Sequence, residues 1–224
     1  MKCCGFTIGR CLPLALAVAV WAQAIPAAAA PEELSRAEAL AILNSPDAGE
    51  RRRGAVGLAS KGEMEDTPAL IAALRDDDEL VRAIAGEAVW AVWSRSGDAR
   101  LDDLFKQGTE QMAGGRLREA IATFTRIIER KPEFAEGWNK RATAYFLAGD
   151  YRRSLSDCDE VIKRNPQHFG ALSGYGQIYL RLDQPDKALE YLRRALAINP
   201  NLRGVASIVE KLESFIARRR QRSI

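Results

Sequence analysis

A chain of 224 residues is long enough to bury a sizeable core, and its 47% hydrophobic and 28% charged residues exclude wholesale disorder. The formal charge of +3 comes from 33 Lys and Arg against 30 Asp and Glu. Lys2 and Arg10 both lie in the first thirty residues, so the remainder carries 31 against 30 and has no net basic field with which to hold nucleic acid.

Residues 1–30 stand apart. A positive start is followed by the uncharged apolar run "LPLALAVAVWAQAI" and then by small residues up to Ala28 and Ala30. These are the three parts of an export signal peptide, expected to be cleaved after Ala28 or Ala30. The alternative is an uncleaved anchor, since residues 12–30 nearly reach the length of a membrane span. Pro26 and the alanine-rich end favour cleavage, which sends the protein to the bacterial periplasm. Cys3, Cys4 and Cys11 lie in this segment, and Cys11 precedes the apolar run, where a lipid-modified cysteine would have to follow it. Cys158 alone remains beyond residue 30, so no intrachain disulfide is available there and the exported domain must rest on its core.

Residues 31–98 carry helical periodicity. "PEELSRAEALAIL" has acidic residues in its first turn, and "DAGERRRGAVGLASKG" follows. Pro68 then starts a helix with Leu70, Ile71 and Leu74 on its apolar face, before an acidic turn from Asp76 to Glu79 and a further helix that begins "VR". The pattern "P-x-L-x-x-x-L-x-D…VR-x-x-A" resembles HEAT-type repeats. "RRRGAVGLA" looks like a partial earlier copy of "VRAIAGEAVWA", offset by thirty residues. The alternative is a generic helical hairpin ahead of the next segment.

From residue 101 the chain repeats. Pro132, Pro166 and Pro200 recur every 34 residues. Within each period one helix carries a small residue (Gly108, Ala142, Gly176) and the next carries another (Ala120, Ser154, Ala188), which lets the two approach closely. Four residues later comes a larger apolar residue: Phe124, Cys158 or Leu192. The turns "AGGRL", "AGDYR" and "LDQPD" separate the helices of each pair. "WNKRATAY" (Trp138, Ala142, Tyr145) and "LSGYGQIY" (Leu172, Tyr175, Gly176, Tyr179) resemble the first helix of the tetratricopeptide repeat, and the segments ending at the three prolines resemble its second.

The resemblance implies an all-α protein: a right-handed α-solenoid of stacked antiparallel helix pairs, with units at 101–134, 135–168 and 169–200. The first unit departs most, because Gln107 and Gln111 replace the large residues expected there. Residues 201–218 keep an apolar stripe through Val205, Ile208, Leu212, Phe215 and Ile216, as a terminal capping helix requires. Residues 219–224 form a basic tail. Arg218, Arg219, Arg220 and Arg222 suit a helix C-terminus, and equally an anionic lipid or an acidic partner.

No constellation points to catalysis, a metal or a cofactor. His168, in the turn "NPQHF", has no second ligand at metal spacing and is expected to be an exposed polar turn residue. Cys158 sits in a core column. Trp90 and Trp93, three apart on one helix, are expected in the core where the two segments join. The run Asp76 to Glu79 is expected to be a solvated turn whose carboxylates favour the next helix N-terminus.

The family resemblance implies that the concave face, lined by the first helix of each pair, binds protein or peptide partners. It projects Lys106 and Thr109 from the first unit. The second supplies Asn139, Lys140, Thr143 and Phe146, and the third Ser173, Gln177 and Arg181. Such a set would meet an extended peptide whose backbone bonds to Asn139 and Gln177 and whose acidic groups meet Lys140 or Arg181. A variant of the family grips a C-terminal carboxylate with Lys and Asn. Here Phe105, Gly170 and Gly174 stand at three of those places, which argues against such a clamp. The expected role is a non-enzymatic scaffold or adaptor, with the membrane involved only through an uncleaved N-terminus.

Overall fold

The computed structural model describes residues 33–221; the expected export segment and residues 222–224 of the tail lie outside the described residues. Among the described residues there are eleven α-helices and no strand, and the chain from Glu33 onward forms one compact unit. None of these helices is long and apolar enough to cross a membrane.

The first four helices are α1 (Arg36–Ile42), α2 (Ala48–Lys61), α3 (Thr67–Ala73) and α4 (Glu79–Trp93). Ser35 and Glu38 form a capping box on α1, and Asp47 and Asp78 cap α2 and α4. In α2 and α4 an arginine one turn into the helix then turns back onto the preceding loop. Arg51 donates to the carbonyls of Ser45 and Pro46, and Arg82 to those of Asp76 and Asp77. The internal copy is therefore in register at 31 residues (Asp47 with Asp78, Arg51 with Arg82), one more than the sequence pattern suggested. The acidic turn is consumed by structure: Asp76 accepts Arg51 and Asp78 accepts Arg52. Leu58, Leu70, Leu74, Val81 and Val89 are fully buried between these helices.

Three helix pairs follow: α5 (Ala99–Ala113) with α6 (Leu117–Arg130), α7 (Ala135–Leu147) with α8 (Tyr151–Arg164), and α9 (Phe169–Arg181) with α10 (Pro185–Ile198). The turn inside each pair needs one residue with positive φ, at Gly115 (+72°), Gly149 (+78°) and Asp183 (+53°). Glycine takes that conformation freely and Asp tolerates it, so the third unit keeps the turn without a glycine.

The small columns meet the large ones. A Cβ placed on Gly108 would lie 2.7 Å from the Phe124 ring, and one on Gly176 would run into the Leu192 side chain. In the middle pair the partners are Ala142 and Cys158, both buried in one cluster. With Gln107 and Gln111 in place of large residues, α5 buries fewer residues than α7 or α9. Leu101, Gly108 and Gln111 are the buried residues of α5, and Gln111 is held by the Thr123 hydroxyl, which donates to its Oε1 at 2.8 Å.

Helix α11 (Arg203–Gln221) covers the end of the stack. It buries Val209 and Leu212 against α10, with Val205 and Ile208 partly buried beside them, and Ile216 is buried as well. Phe215 is 48% exposed and lies off the stripe assigned to it. The spacing 205, 209, 212, 216 follows one helical face, whereas Phe215 stands about 100° away from Ile216.

The two segments share one core. Phe169, Leu172 and Ala195 from the repeats pack with the buried residues of α1–α4. Arg75 donates to the carbonyls of Ala197 and Ile198, and the Asn201 amide donates to the Leu74 carbonyl at 2.7 Å.

Candidate functional site

The first helices of the three pairs, α5, α7 and α9, lie side by side, and they are the helices the family resemblance assigns to the concave face. Between α7 and α9 lies a cleft of ≈ 120 Å³ whose walls include Asn139, Thr143, Phe146 and Gln177, four of the nine residues projected from sequence. Gly170 and Gly174 leave the α9 wall bare, and Ala142, Cys158 and Ile178 form an apolar floor. Cys158 is a core thiol whose pKa burial pushes up to about 12, so it is not a nucleophile at neutral pH.

The other five residues do not line this cleft. Lys106 and Arg181 are exposed and make no ion pair. Ser173 is buried and its hydroxyl donates to the Phe169 carbonyl at 2.9 Å. Thr109 likewise bonds back to the Phe105 carbonyl, as Thr143 does to that of Asn139. These hydroxyls serve their own helices.

Lys140 and Asn139 are both committed to Glu136, which sequence reasoning passed over. The Glu136 carboxylate is fully buried and accepts both the Asn139 amide, at 3.0 and 3.1 Å, and the Lys140 ammonium, at 3.3 Å. Its remaining partner is His168, 2.8 Å away.

His168 is 0% exposed, which overturns its expected place on the surface. Its Nδ1 accepts the Ala171 backbone N–H at 3.0 Å and so caps α9. Because Nδ1 is an acceptor, the ring proton sits on Nε2 and is donated to Glu136. Burial pushes the Glu136 carboxyl up, but the bonds from His168 and Asn139 and the charge of Lys140 outweigh it and hold the group below the ordinary carboxylate range.

Trp93 stacks on the His168 ring at 4.4 Å, and Trp90 stands edge-on to His168 and Phe169 at 5.6 and 5.3 Å. The two tryptophans therefore lie at the join of the segments, as the sequence suggested. Trp90 also lies directly on the Gly170 backbone, with Lys140 Nζ 6.0 Å from its ring centroid. One end of the face is thus taken up by α4, while half-buried Phe146 and exposed Arg181 stand near the C-terminal ends of α7 and α9. No group of three His, Cys, Asp or Glu among the described residues could hold a metal ion.

A tetratricopeptide-repeat family model matches residues 105–161 and 142–202. A TPR repeat-containing protein of Rhizobium etli is 33% identical over 141 residues, which span 63% of this chain and 69% of that protein. Hsp70-Hsp90 organizing protein 1 of Glycine max is 28% identical over 115 residues, half of this chain but 20% of that much longer protein. Among solved structures, the first TPR of Spaghetti (RPAP3) bound to the HSP90 peptide SRMEEVD superposes with a TM-score of 0.51 at 24% identity, over 54% of this chain and 96% of that one. The Sgt2 TPR domain of Aspergillus fumigatus gives 0.52 at 19%, over 55% and 83%. These two likenesses concern the fold. With the 34-residue columns packed as helix pairs and a relative matched over most of its length, the chain belongs to the tetratricopeptide-repeat family.

Proposed function

We propose that this protein is an exported, non-enzymatic scaffold that holds a protein or peptide partner on its concave face. The observation that carries this is electrostatic. Lys106 and Arg181, which the sequence projects onto that face, are exposed and make no ion pair, and no carboxylate lines the cleft between α7 and α9. An acidic partner segment would supply the missing charge. The first TPR of Spaghetti, solved with an HSP90 peptide, and the similarity to an Hsp70-Hsp90 organizing protein support a peptide-binding role. Export rests on the character of residues 1–30, and sequencing the mature N-terminus separates a cleaved periplasmic protein from one tethered to the inner membrane by an uncleaved anchor.

Lys140 is a poor site for a charge reversal, since Lys140→Glu would set a second carboxylate beside buried Glu136. The test is affinity capture from envelope extract with the parent protein and with Lys106→Glu/Arg181→Glu. Loss of specific captured proteins at unchanged helicity supports the groove. Identical captured sets move the site elsewhere on the molecule.

A further inference from the structure

We infer that a cavity at the join of the two segments binds a small carboxylic acid with an apolar body. The cavity measures ≈ 260 Å³ and lies between the end of α4 and the turns that join α6 to α7 and α8 to α9. It shares no wall residue with the cleft between α7 and α9, so this site is separate from the proposed partner surface.

The first observation is a pair of unpartnered donors. Among the described residues, three fully buried side-chain nitrogen or oxygen atoms lack a hydrogen bond. Two of them, Trp93 Nε1 and Asn165 Nδ2, belong to residues that wall this cavity. Trp93 is 3% exposed and Asn165 7%. The Asn165 Oδ1 accepts the Gln167 backbone N–H at 3.2 Å, which fixes the amide so that its NH2 is the group left over. An indole nitrogen can only donate. A buried donor without an acceptor costs stability, and both of these are answered by one acceptor brought from outside.

The second observation is charge. Arg95, Lys131 and Arg164 also stand in the wall. Arg164 is matched by Glu160. Arg95 donates to the carbonyls of Ala59 and Gly62 and has no carboxylate partner among the described residues. Lys131 donates to the Ser96 carbonyl at 2.5 Å, and its nearest carboxylate is exposed Glu133 at 4.0 Å. The other wall carboxylate, Glu136, is already taken up by His168, Asn139 and Lys140. The acceptor that suits this wall is therefore an anion.

Size and lining select the rest of the molecule. Met64 and Phe134 give the cavity apolar wall beside the Trp93 ring. A cavity of about 150 Å³ takes up benzene, so by proportion this one holds roughly ten non-hydrogen atoms. That fits a carboxylate on a single ring or a short branched chain, and is too little for a stretch of peptide.

The experiment is titration of the whole protein with benzoate, with 4-methylpentanoate and with benzyl alcohol, an uncharged counterpart of benzoate. Binding is read by calorimetry and by the indole N–H resonance of Trp93. Trp93→Phe assigns that resonance and removes its donor. Asn165→Asp keeps the acceptor for Gln167 and puts a like charge in place of the donating NH2. The expected result is saturable binding of at least one acid, with a shift of the Trp93 resonance. Benzyl alcohol and both variants should each weaken binding roughly tenfold or more. Should the variants fail to fold, the comparison of acid with alcohol on the parent protein decides the matter. No saturable shift with either acid would overturn the site and leave water as the partner of the two donors. Equal binding of acid and alcohol, or by parent and variants, would overturn it as well. Lys106→Glu/Arg181→Glu should bind the acids as the parent does, so failure here and failure of the concave face are told apart.

Discussion

Glycine does opposite work in the two halves of this molecule. In α1–α4 it brings backbones together: a Cβ on Gly54 would lie 2.7 Å from the Ala39 carbonyl oxygen and 2.9 Å from the Leu43 nitrogen. In the repeats it opens a socket for a side chain, as Gly108 does for Phe124 and Gly176 for Leu192. The first arrangement is held further by arginines that tie turns to helices, with Arg95 reaching the Ala59 and Gly62 carbonyls in addition to Arg51 and Arg82. The second depends on side-chain fit, seen also in the stacked rings of Tyr175 and Tyr191, 4.3 Å apart. A contact with backbone cannot relax, whereas one with a side chain can. The halves should therefore differ in their tolerance of a single added methyl.

The largest effect is expected where the halves meet. Trp93→Ala removes a 3%-exposed indole that packs on His168 and Phe169, and should cost about 3–5 kcal/mol. Urea unfolding followed at separate probes in α1–α4 and α5–α10 should then show two transitions in place of one. A single transition would mean that the shared core does not couple the halves.

Glu136→Ala comes next, at about 3 kcal/mol, because it leaves the buried His168 N–H and Asn139 amide unpaired and takes the carboxylate from half-buried Lys140. The pH dependence has a definite sign. The folded-state carboxyl is held below its ordinary value of 4.5, so its contribution is full above that value and is lost as pH falls through the lowered one. As pH falls below that ordinary value the parent should lose stability faster than Glu136→Gln, which has no proton to take up.

Gly54→Ala should cost about 2–3 kcal/mol, since the obstructing atoms are backbone, and Gly176→Ala about 1–2, since Leu192 can turn aside. A larger loss at Gly176 than at Gly54 would break the distinction between the halves. The smallest change is expected at Gly86, where an added Cβ would meet only Leu74 Cδ2 at 3.8 Å. Gly86→Ala should stabilise by up to about 1 kcal/mol through helix propensity alone, read as a rise in melting temperature.

Much of the fold was legible before the structure. The 34-residue recurrence of Pro132, Pro166 and Pro200 set the helix pairs, and the columns of small and large residues named the packing partners, because both follow from local periodicity. Legibility failed where a residue's neighbours come from distant sequence. His168 looks like a surface residue in "NPQHF" because nothing local indicates that Trp93, 75 residues earlier, stacks on its ring. Asn139 and Lys140 fall on the projected concave face, yet a buried carboxylate one turn before them takes up their polar groups. Gly86 in "AIAGEAVWA" and Gly176 in "SGYGQIY" look alike as sequence and differ only in what stands opposite.

Local periodicity alone marks the chain as a helical repeat protein and shows where its turns fall and which residues of each pair touch, since a 34-residue unit encodes its own hairpin. That Trp90 of α4 lies over Gly170 and Lys140 is set by long-range packing. That packing depends on how the apolar faces of α3 and α4 meet the turns between the repeats. Such a fit of two surfaces more than a hundred residues apart, as between Leu74 and Asn201, leaves no periodic trace in either segment.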